Sequence, residues 1–533
     1  MHKEQICKIK EYERFRLKFK GAGLANLDGF FDKSDPILFL LEKTKYGDFS
    51  EFGRTERIDN NLNPEWKTTI DIDYDFARIQ TMRIDVYDED KNGKLELIGS
   101  QKFDLSQVIK REKSIFLLKK KGKDTGKVVV KSEQVDEKEE LLSLDFAAKS
   151  IKNVEWFGIS DPFLRFFRAK KEHQKTNNPK SLPEEAWEQS HQTGYIDGNL
   201  NPDWAPFSIS SKLFCHSNNN CPIKVEIWDY SMVGDHVLIS TGYFTLEQIE
   251  KKGLKVIKTK DTQGKIGGEI IVESLKRAKK HNLTSYLRKG LEISTVVALD
   301  FTGSNKDYKD PESLHNIDGK TPNQYLKVIS ALGSVLEYYD EDNMIPVYGF
   351  GAKSKKFGIK KVSHCFPVSG DIKKVFAKGI RGVLKIYKNA VPHLRMLGPT
   401  YFSPIVSGIA KSIKHKFEKD PNSYCLLMII TDGLICDMQD TIDAIVQSSK
   451  WPLSVLIIGV GDEDFSQMSA LDEHGSLLRG SDGKVALRDN IHFIDFKEVG
   501  YDAEKLVDSV LGDIPGQITE FYHLRGLTPG CKK

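Results

Sequence analysis

Ile58-Asp59-Asn60-Asn61-Leu62-Asn63-Pro64-Glu65-Trp66 returns further along the chain as Ile196-Asp197-Gly198-Asn199-Leu200-Asn201-Pro202-Asp203-Trp204. Ser34-Asp35-Pro36 precedes the first copy as Ser160-Asp161-Pro162 precedes the second, and Val86-Tyr87-Asp88 follows it as Ile227-Trp228-Asp229 follows the other. Each repeat thus carries S-D-P, N-P-x-W and aromatic-Asp in one order. The unit is about 130 residues long, the size of a whole domain rather than of a solenoid repeat. Met82, Ile84 and Val86 alternate with Arg83, Asp85 and Tyr87, and Ile223, Val225 and Ile227 with Lys224 and Glu226. Period-two patterning with one apolar face, punctuated by Gly, Asn, Asp and Pro clusters, predicts an antiparallel β-sandwich, twice over.

Beyond about residue 290 the pattern changes. Val296-Val297-Ala298-Leu299, Met344-Ile345-Pro346-Val347, Cys425–Ile430 and Val455–Val460 are short, continuously apolar runs, typical of strands buried on both faces. Thr321-Pro322-Asn323-Gln324 reads as a capping box with proline at the first helical position, ahead of Leu326, Ile329, Leu332 and Leu336. Strands alternating with helices imply a doubly wound α/β domain on a parallel sheet. The expected layout is a sandwich over 8–133, a second over 138–275, a basic linker over 276–289, the α/β domain over 290–518 and a tail over 519–533.

Composition agrees with this multidomain reading. At roughly 150 residues per domain, 533 residues make three or four domains. Hydrophobic residues are 39% and charged residues 29%, the balance of globular domains. The formal charge of +3 gives no bulk support for nucleic-acid binding. No apolar run reaches the roughly 18–20 residues of a membrane span, and the charged start Met1–Gln5 does not read as a secretory signal. Seven scattered cysteines without a C-x-x-C pair argue against a disulfide framework and a zinc ribbon. The expected setting is cytoplasmic.

In the first repeat, Asp35, Asp88, Asp90 and Glu96 fall in loops after strand-like runs, with Asp28 and Asp32 nearby. Several carboxylates gathered at one end of a sandwich would repel one another without a cation, and hard oxygen ligands in that number suit Ca²⁺. Asp88-Glu89-Asp90-Lys91-Asn92-Gly93 mimics the start of an EF-hand, but its twelfth position is Gly99 and a strand precedes it, so that reading fails. The Lys119–Lys123 run reads as a solvated turn, the alternative being contact with an anionic leaflet at roughly 1 kcal/mol per lysine.

S-D-P, N-P-x-W and aromatic-Asp-x-Asp in this order resemble a C2 domain. The resemblance implies an eight-stranded sandwich whose apex loops bind Ca²⁺ and anionic phospholipid. By position it assigns Asp35 in loop one and Asp88, Asp90 and Glu96 in loop three, Glu96 standing where the family usually has Asp. The family's first loop-one carboxylate falls on Gly29, with Asp28 or Asp32 as the substitute. In the second copy the same positions give Glu155, Asp161 and Asp229, while Ser231 and Val237 replace two carboxylates and Asp235 is out of register. Weak or absent Ca²⁺ binding is expected there, with a spacer or protein-binding role.

In the α/β domain, Val296–Leu299 runs into Asp300-Phe301-Thr302-Gly303-Ser304 at a strand's carboxyl end, where such sheets form their binding crevice. One carboxylate and two hydroxyls at alternate positions can face a small hard cation, and hydroxyl-rich ligation suits Mg²⁺. Thr431-Asp432-Gly433 ends another strand, and Gly398-Pro399-Thr400 supplies a further hydroxyl. The set resembles the metal-ion-dependent adhesion site of von Willebrand factor A domains. It implies Asp300, Thr302, Ser304, Thr400 and Asp432 as ligands of Mg²⁺ or Mn²⁺, with one position left for a partner's carboxylate. Two C2-like domains followed by this A-like domain resemble the copine family. The resemblance implies a Ca²⁺-dependent adaptor that moves from cytoplasm to the plasma membrane or other intracellular membranes and captures client proteins through the A domain. The alternative is a metal-dependent hydrolase or phosphotransferase at Asp300. Against it, the chain lacks G-x-S-x-G, H-E-x-x-H and G-x-x-x-x-G-K-[ST], and His364, His393 and His474 have no partner arguable from sequence.

Overall fold

Phe15, Leu17 and Phe19 are buried while Arg14, Arg16, Lys18 and Lys20 between them are exposed, so the first strand, Glu13–Ala22, lays one face on a core. The computed structural model describes residues 12–29, 32–135, 140–156, 158–176, 178–231, 234–279, 281–319, 321–472 and 477–531. Eight antiparallel strands form the first sandwich, in the order Phe49–Arg54, Pro36–Lys43, Thr81–Glu89, Leu95–Asp104, Lys113–Lys120, Lys123–Gln134, Glu13–Ala22 and Ile70–Tyr74. Its counterpart repeats this order, from Trp187–Gln192 through Pro162–Ala169 and Ile223–Asp229 to Glu140–Lys149 and Phe207–Ser210.

The N-P-x-W motif is a clasp. Pro64 O accepts from Gly21 N–H at 2.8 Å, Asn63 Oδ1 from Gly23 N–H at 2.8 Å, and Trp66 Nε1–H donates to Pro36 O at 3.2 Å. In the second copy Pro202 O accepts from Ala148 N–H at 2.9 Å, Asn201 Oδ1 from Ser150 N–H at 2.9 Å, and Trp204 Nε1–H donates to Pro162 O at 3.1 Å. The motif therefore ties the long connection across the sandwich to the start of the S-D-P strand. Its chemistry is structural.

One patterning expectation fails in the second copy. Lys224 and Glu226, which alternation sends to solvent, are 2% and 5% exposed. The segment between Lys170 and Trp187 covers that face: Lys224 Nζ lies 2.9 Å from Glu226 and 2.7 Å from Glu184, and sits over the rings of Phe167 and Trp187. A buried ammonium held between two carboxylates satisfies its charge locally.

The α/β domain has a central parallel sheet in the order Met344–Phe350, Glu292–Asp300, Ser423–Thr431, Leu453–Gly459 and Ile491–Asp495, with Phe366–Pro367 added antiparallel beside Met344–Phe350. Glu292–Asp300 is the first strand of the domain and its two neighbours come later in sequence on either side, so the chain order reverses at its carboxyl end. Helix Gln324–Leu336 is capped by Asn323, whose Oδ1 accepts from Leu326 N–H at 2.9 Å, rather than by Thr321. Asn323 reaches its own third helical amide, so Pro322 lies outside the helix.

The stretch read as a basic linker is structured. Strand Ile266–Lys279 runs into it, and helix Leu283–Arg288 buries Leu283, Tyr286 and Leu287. The tail likewise contributes Phe521 and Tyr522 of helix Ile514–Leu524 to the core. The first sandwich and the α/β domain form one compact unit, and the second sandwich another. Within the former, Arg288 donates to Ile109 O at 2.8 Å and to Ser132 Oγ at 2.7 Å. Phe76 and Tyr339 pack with ring centroids 4.2 Å apart, Tyr339 hydrogen-bonds Tyr74, and Lys110 Nζ sits 4.8 Å above the Tyr339 ring. No helix among the described residues is long and apolar enough to cross a membrane.

Candidate metal centres

At the apex of the first sandwich, a carboxylate of each S-D-P and aromatic-Asp motif is partly spent on the backbone. Asp35 N–H donates to Asp88 Oδ1 at 2.6 Å, and Asp35 Oδ1 accepts from Asn60 N–H at 2.6 Å. The second copy repeats this: Asp161 N–H donates to Asp229 Oδ1 at 2.7 Å, and Asp161 Oδ1 accepts from Gly198 N–H at 2.6 Å. The motifs therefore pin loop one to loop three through Asp88 and Asp229, and to the N-P-x-W connection through Asp35 and Asp161.

Hydrogen bonds also settle the loop-one register. Asn26 Oδ1 accepts from Ser34 N–H and, at 3.3 Å, from Asp28 N–H; Asn153 Oδ1 accepts from Ser160 N–H and, at 3.3 Å, from Glu155 N–H. Asp28 is thus the equivalent of Glu155. The first loop has one residue more between Asn and Ser, which is why counting back from Asp35 lands on Gly29. Burial, then the charges of Asp88, Asp32, Asp90 and Asp35, push the Asp28 carboxyl above its ordinary range. Five carboxylates therefore share one electrostatic neighbourhood. Glu96 stands directly across the ladder from Asp88, but its carboxylate lies 3.3 Å from Lys120 Nζ in the hairpin turn that holds the lysine run. Among the described residues no three His, Cys, Asp or Glu side chains are drawn together tightly enough to grip an ion. The donor set is nevertheless all hard oxygen with excess negative charge, which fits Ca²⁺.

Val237 stands across from Asp229 as Glu96 does from Asp88. Ser231 N–H donates to His236 Nδ1 at 3.1 Å, the His236 ring packs against Phe163, and Tyr230 stacks on Tyr195 with centroids 4.1 Å apart. Rings thus occupy the loop-three region where the first copy has carboxylates. Glu155, Asp161 and Asp229 keep carboxylates at the corresponding positions, with Asp235 out of register beside His236.

The five residues named in the α/β domain converge at the carboxyl end of Glu292–Asp300. Asp300 is fully buried; its Oδ1 accepts from Thr302 N–H at 2.8 Å and its Oδ2 from Thr431 Oγ1 at 2.5 Å. Thr302 and Ser304 hydroxyls lie 3.0 Å apart, Ser304 Oγ donates to Asp432 Oδ1 at 2.9 Å, and Thr400 Oγ1 is 3.5 Å from Thr302 Oγ1. Gly303 N–H donates to Leu397 O at 2.6 Å, which brings the Thr400 loop alongside. Ser304 alone of the five is exposed, so the cluster opens to solvent there. A Cβ at Gly433 would sit 3.0 Å from Thr400 Oγ1, 3.5 Å from Ser304 Oγ and 3.8 Å from Asp300 Oδ2. Glycine keeps that oxygen-lined hollow free. Burial pushes both carboxyls up, and Asp300 raises Asp432 further. Two buried carboxylates and three hydroxyls around one hollow fit a small divalent cation that keeps part of its water.

Three further residues orient this cluster. Asn305 Nδ2–H donates to Asp432 Oδ1 at 2.5 Å while its Oδ1 accepts from Tyr325 OH at 2.9 Å. Thr431 fixes Asp300 as described. His315 is fully buried between Phe301 and Tyr325, and burial pushes its imidazole down to about 3, so it is neutral. Its Nε2 lies 2.7 Å from Asp300 O, an acceptor only, so Nε2 carries the proton and Nδ1 accepts from Tyr387 OH at 2.8 Å. Asn305 and Thr431 adjoin the motifs in sequence; His315 carries no local signal. Of the other histidines, His364 packs on Tyr401, His393 lies 2.6 Å from Lys356 Nζ, and His474 lies outside the described residues.

Comparison with known proteins agrees with this anatomy. Structures similar to this chain include the calcium-bound pair of C2 domains of Extended-Synaptotagmin 2, at 16% identity over 50% of this chain and 97% of that one, TM-score 0.20. BON1-C2B matches at 19% identity over 27% of this chain and 94% of that one, TM-score 0.22. A C2 domain of plant Extended Synaptotagmin 1 matches at 21% identity over 23% of this chain and 93% of that one, TM-score 0.20. Likenesses this distant carry no argument. The family models are more direct: the C2 domain matches residues 18–119 and 145–260, and the copine domain matches 313–530. Two C2 domains followed by a copine domain is the architecture of the copines, and the chain belongs to that family.

Proposed function

We propose that this protein is a Ca²⁺-dependent adaptor for anionic membranes, switched through its first C2 domain, with the α/β domain holding client proteins. The observation that carries the reading is the contrast between the two apices. Asp88, Asp32, Asp90 and Asp35 crowd the Asp28 carboxyl in the first, whereas in the second Ser231 and Val237 stand where the first has Asp90 and Glu96. Ca²⁺ bound there would cancel the charge that keeps anionic headgroups away. Asp35 and Asp88 hold loops one and three in register through backbone hydrogen bonds, so the carboxylates are presented on a preformed frame. In the α/β domain Asp300, Thr302, Ser304, Thr400 and Asp432 would hold Mg²⁺ or Mn²⁺, which supplies a positive centre for a client carboxylate. The opening at Ser304 is where such a carboxylate would enter. The chain is read as binding rather than turning over its clients, and as cytoplasmic until Ca²⁺ rises.

Co-sedimentation with phosphatidylserine vesicles tests this, comparing the parent with Asp88→Asn/Asp90→Asn in Ca²⁺ and in chelator. The amide introduced at Asp88 keeps an oxygen to accept from Asp35 N–H, so the frame survives while the charge is lost. Ca²⁺-dependent pelleting of the parent, absent in the variant, is expected. Equal pelleting of both in Ca²⁺ would remove the switch from the first domain.

A further inference from the structure

Between Lys353 and Arg395 the chain carries twelve Lys or Arg residues against a single acid, Asp371, although its whole formal charge is only +3. Two of its strands, Phe366–Pro367 and Phe376–Lys378, pair with Met344–Phe350 on the edge away from the metal-site strand Glu292–Asp300. Helix Gly379–Ala390 buries Ile380, Val383 and Tyr387 and turns Arg381, Lys385 and Lys388 to solvent, one face at i, i+4 and i+7. Just before it, Lys373, Lys374 and Lys378 flank two exposed apolar side chains, Ile372 at 72% and Phe376 at 52%. The neighbouring hairpin adds further lysines. It is joined to both parts, because Phe357 packs against Gly370 on one side and the His393 ring on the other. Lys374 lies 4.0 Å from Asp371, and among the described residues no other cation of the stretch is paired with a carboxylate.

Unneutralised cations at this density repel one another, so an anionic partner relieves a cost already present in the free protein. The cations stand on a helix face and short strands, and Lys373, Lys374 and Lys378 adjoin an aliphatic and an aromatic side chain that are both exposed to water. Exposed lysines beside exposed apolar anchors match a bilayer interface, where the anchors enter the acyl boundary and the ammonium groups meet headgroup phosphates. We propose that this basic edge of the α/β domain is a docking surface for an anionic bilayer that needs no calcium. The proposal extends the membrane reading to a second surface, and it concerns residues remote in sequence from the carboxylates of the first domain.

The experiment sediments the full chain with phosphatidylcholine vesicles, with or without phosphatidylserine, in chelator at low and high salt. Under chelator the calcium switch is off, so this arm stands or falls separately from the Ca²⁺ arm. The parent is expected to pellet with phosphatidylserine vesicles at low salt and to be released by high salt. Lys373→Gln/Lys374→Gln/Lys378→Gln should weaken this about 100-fold, at roughly fivefold per lysine near an anionic leaflet, while its Ca²⁺-dependent pelleting remains. Ile372→Ser/Phe376→Ser should weaken it while leaving its salt dependence. All five side chains are exposed, so the variants are expected to melt like the parent. Failure of the parent to bind phosphatidylserine vesicles in chelator overturns the proposal, as does unchanged binding by the lysine variant. Tighter binding of the parent to single-stranded RNA, lost in the lysine variant, would overturn it in favour of a nucleic-acid surface.

Discussion

Asp432→Asn should stabilise the metal-free protein and abolish its response to Mg²⁺, the opposite of what removing a buried, hydrogen-bonded group normally does. Asp300 and Asp432 are 0% and 2% exposed, Asp300 accepting from Thr302 N–H and Thr431 Oγ1 and Asp432 from Ser304 Oγ and Asn305 Nδ2, all neutral donors. Two carboxylate charges lining one hollow, at an effective dielectric of about 20, repel by on the order of 3 kcal/mol. Partial protonation relieves some of this at neutral pH, leaving about 1–2 kcal/mol. Both donors to Asp432, Ser304 Oγ and Asn305 Nδ2, address the same oxygen, and an asparagine oxygen can take both. In chelator the variant should therefore melt about 2–8 °C above the parent, at 2–4 °C per kcal/mol for a domain this size. Saturating Mg²⁺ at about 100 times its Kd would add about 2.7 kcal/mol to the parent and nothing to the variant, so the order reverses. Both carboxyls are raised by burial, so each opposes folding increasingly as pH climbs above the ordinary carboxylate range. The variant's advantage in chelator should accordingly shrink toward zero as pH falls to about 4. Scanning calorimetry with and without Mg²⁺ measures all three effects. A variant that melts below the parent in chelator, or still gains from Mg²⁺, refutes the repulsion argument.

Three other perturbations follow from the same geometry. Asn305→Ala strands the buried Tyr325 hydroxyl and removes a donor to Asp432; it should cost about 1–3 kcal/mol in chelator melts and weaken Mg²⁺ binding about 10–100-fold by calorimetry. Lys110→Met should stabilise the packing of the first sandwich against the α/β domain by about 1 kcal/mol, because burial pushes the Lys110 ammonium down to about 8. A depressed lysine destabilises the fold below its folded value and ceases to do so as pH rises toward its unfolded value. The gap between variant and parent in denaturant melts should thus be full at pH 7 and close by about pH 10.5. Ser231→Asp/Val237→Asp restores two carboxylates to the second apex and should raise its Ca²⁺ affinity at least tenfold; an unchanged titration would mean that His236 and Tyr230, rather than missing charge, keep the ion out.

The repeat was legible because its motifs hold backbone, and backbone clasps recur wherever the same fold does. Trp66 and Trp204 donate to the prolines of their own S-D-P motifs, so spacing between motifs carried topology directly. Counting failed where a loop length differed: one added residue moved the loop-one carboxylate from the position of Gly29 to Asp28, and only the Asn26 hydrogen bonds reveal it. Alternation failed at Lys224 and Glu226, since a strand's own pattern cannot register a segment that returns to cover its outer face.

The α/β site divides the same way. Asp300, Thr302, Ser304, Thr400 and Asp432 were legible because strand ends in a parallel sheet must meet at the point where strand order reverses. His315 was not, since it acts through a backbone carbonyl that every residue possesses. Its imidazole cannot be a ligand in this arrangement, because both nitrogens are committed, to Asp300 O and to the Tyr387 hydroxyl. What it does instead is fix the carbonyl of the residue whose carboxylate lines the hollow. A histidine fifteen residues downstream of a ligand thus looks idle in sequence and restrains the ligand in space, and the same buried neutrality that hides it keeps positive charge away from where a cation would sit.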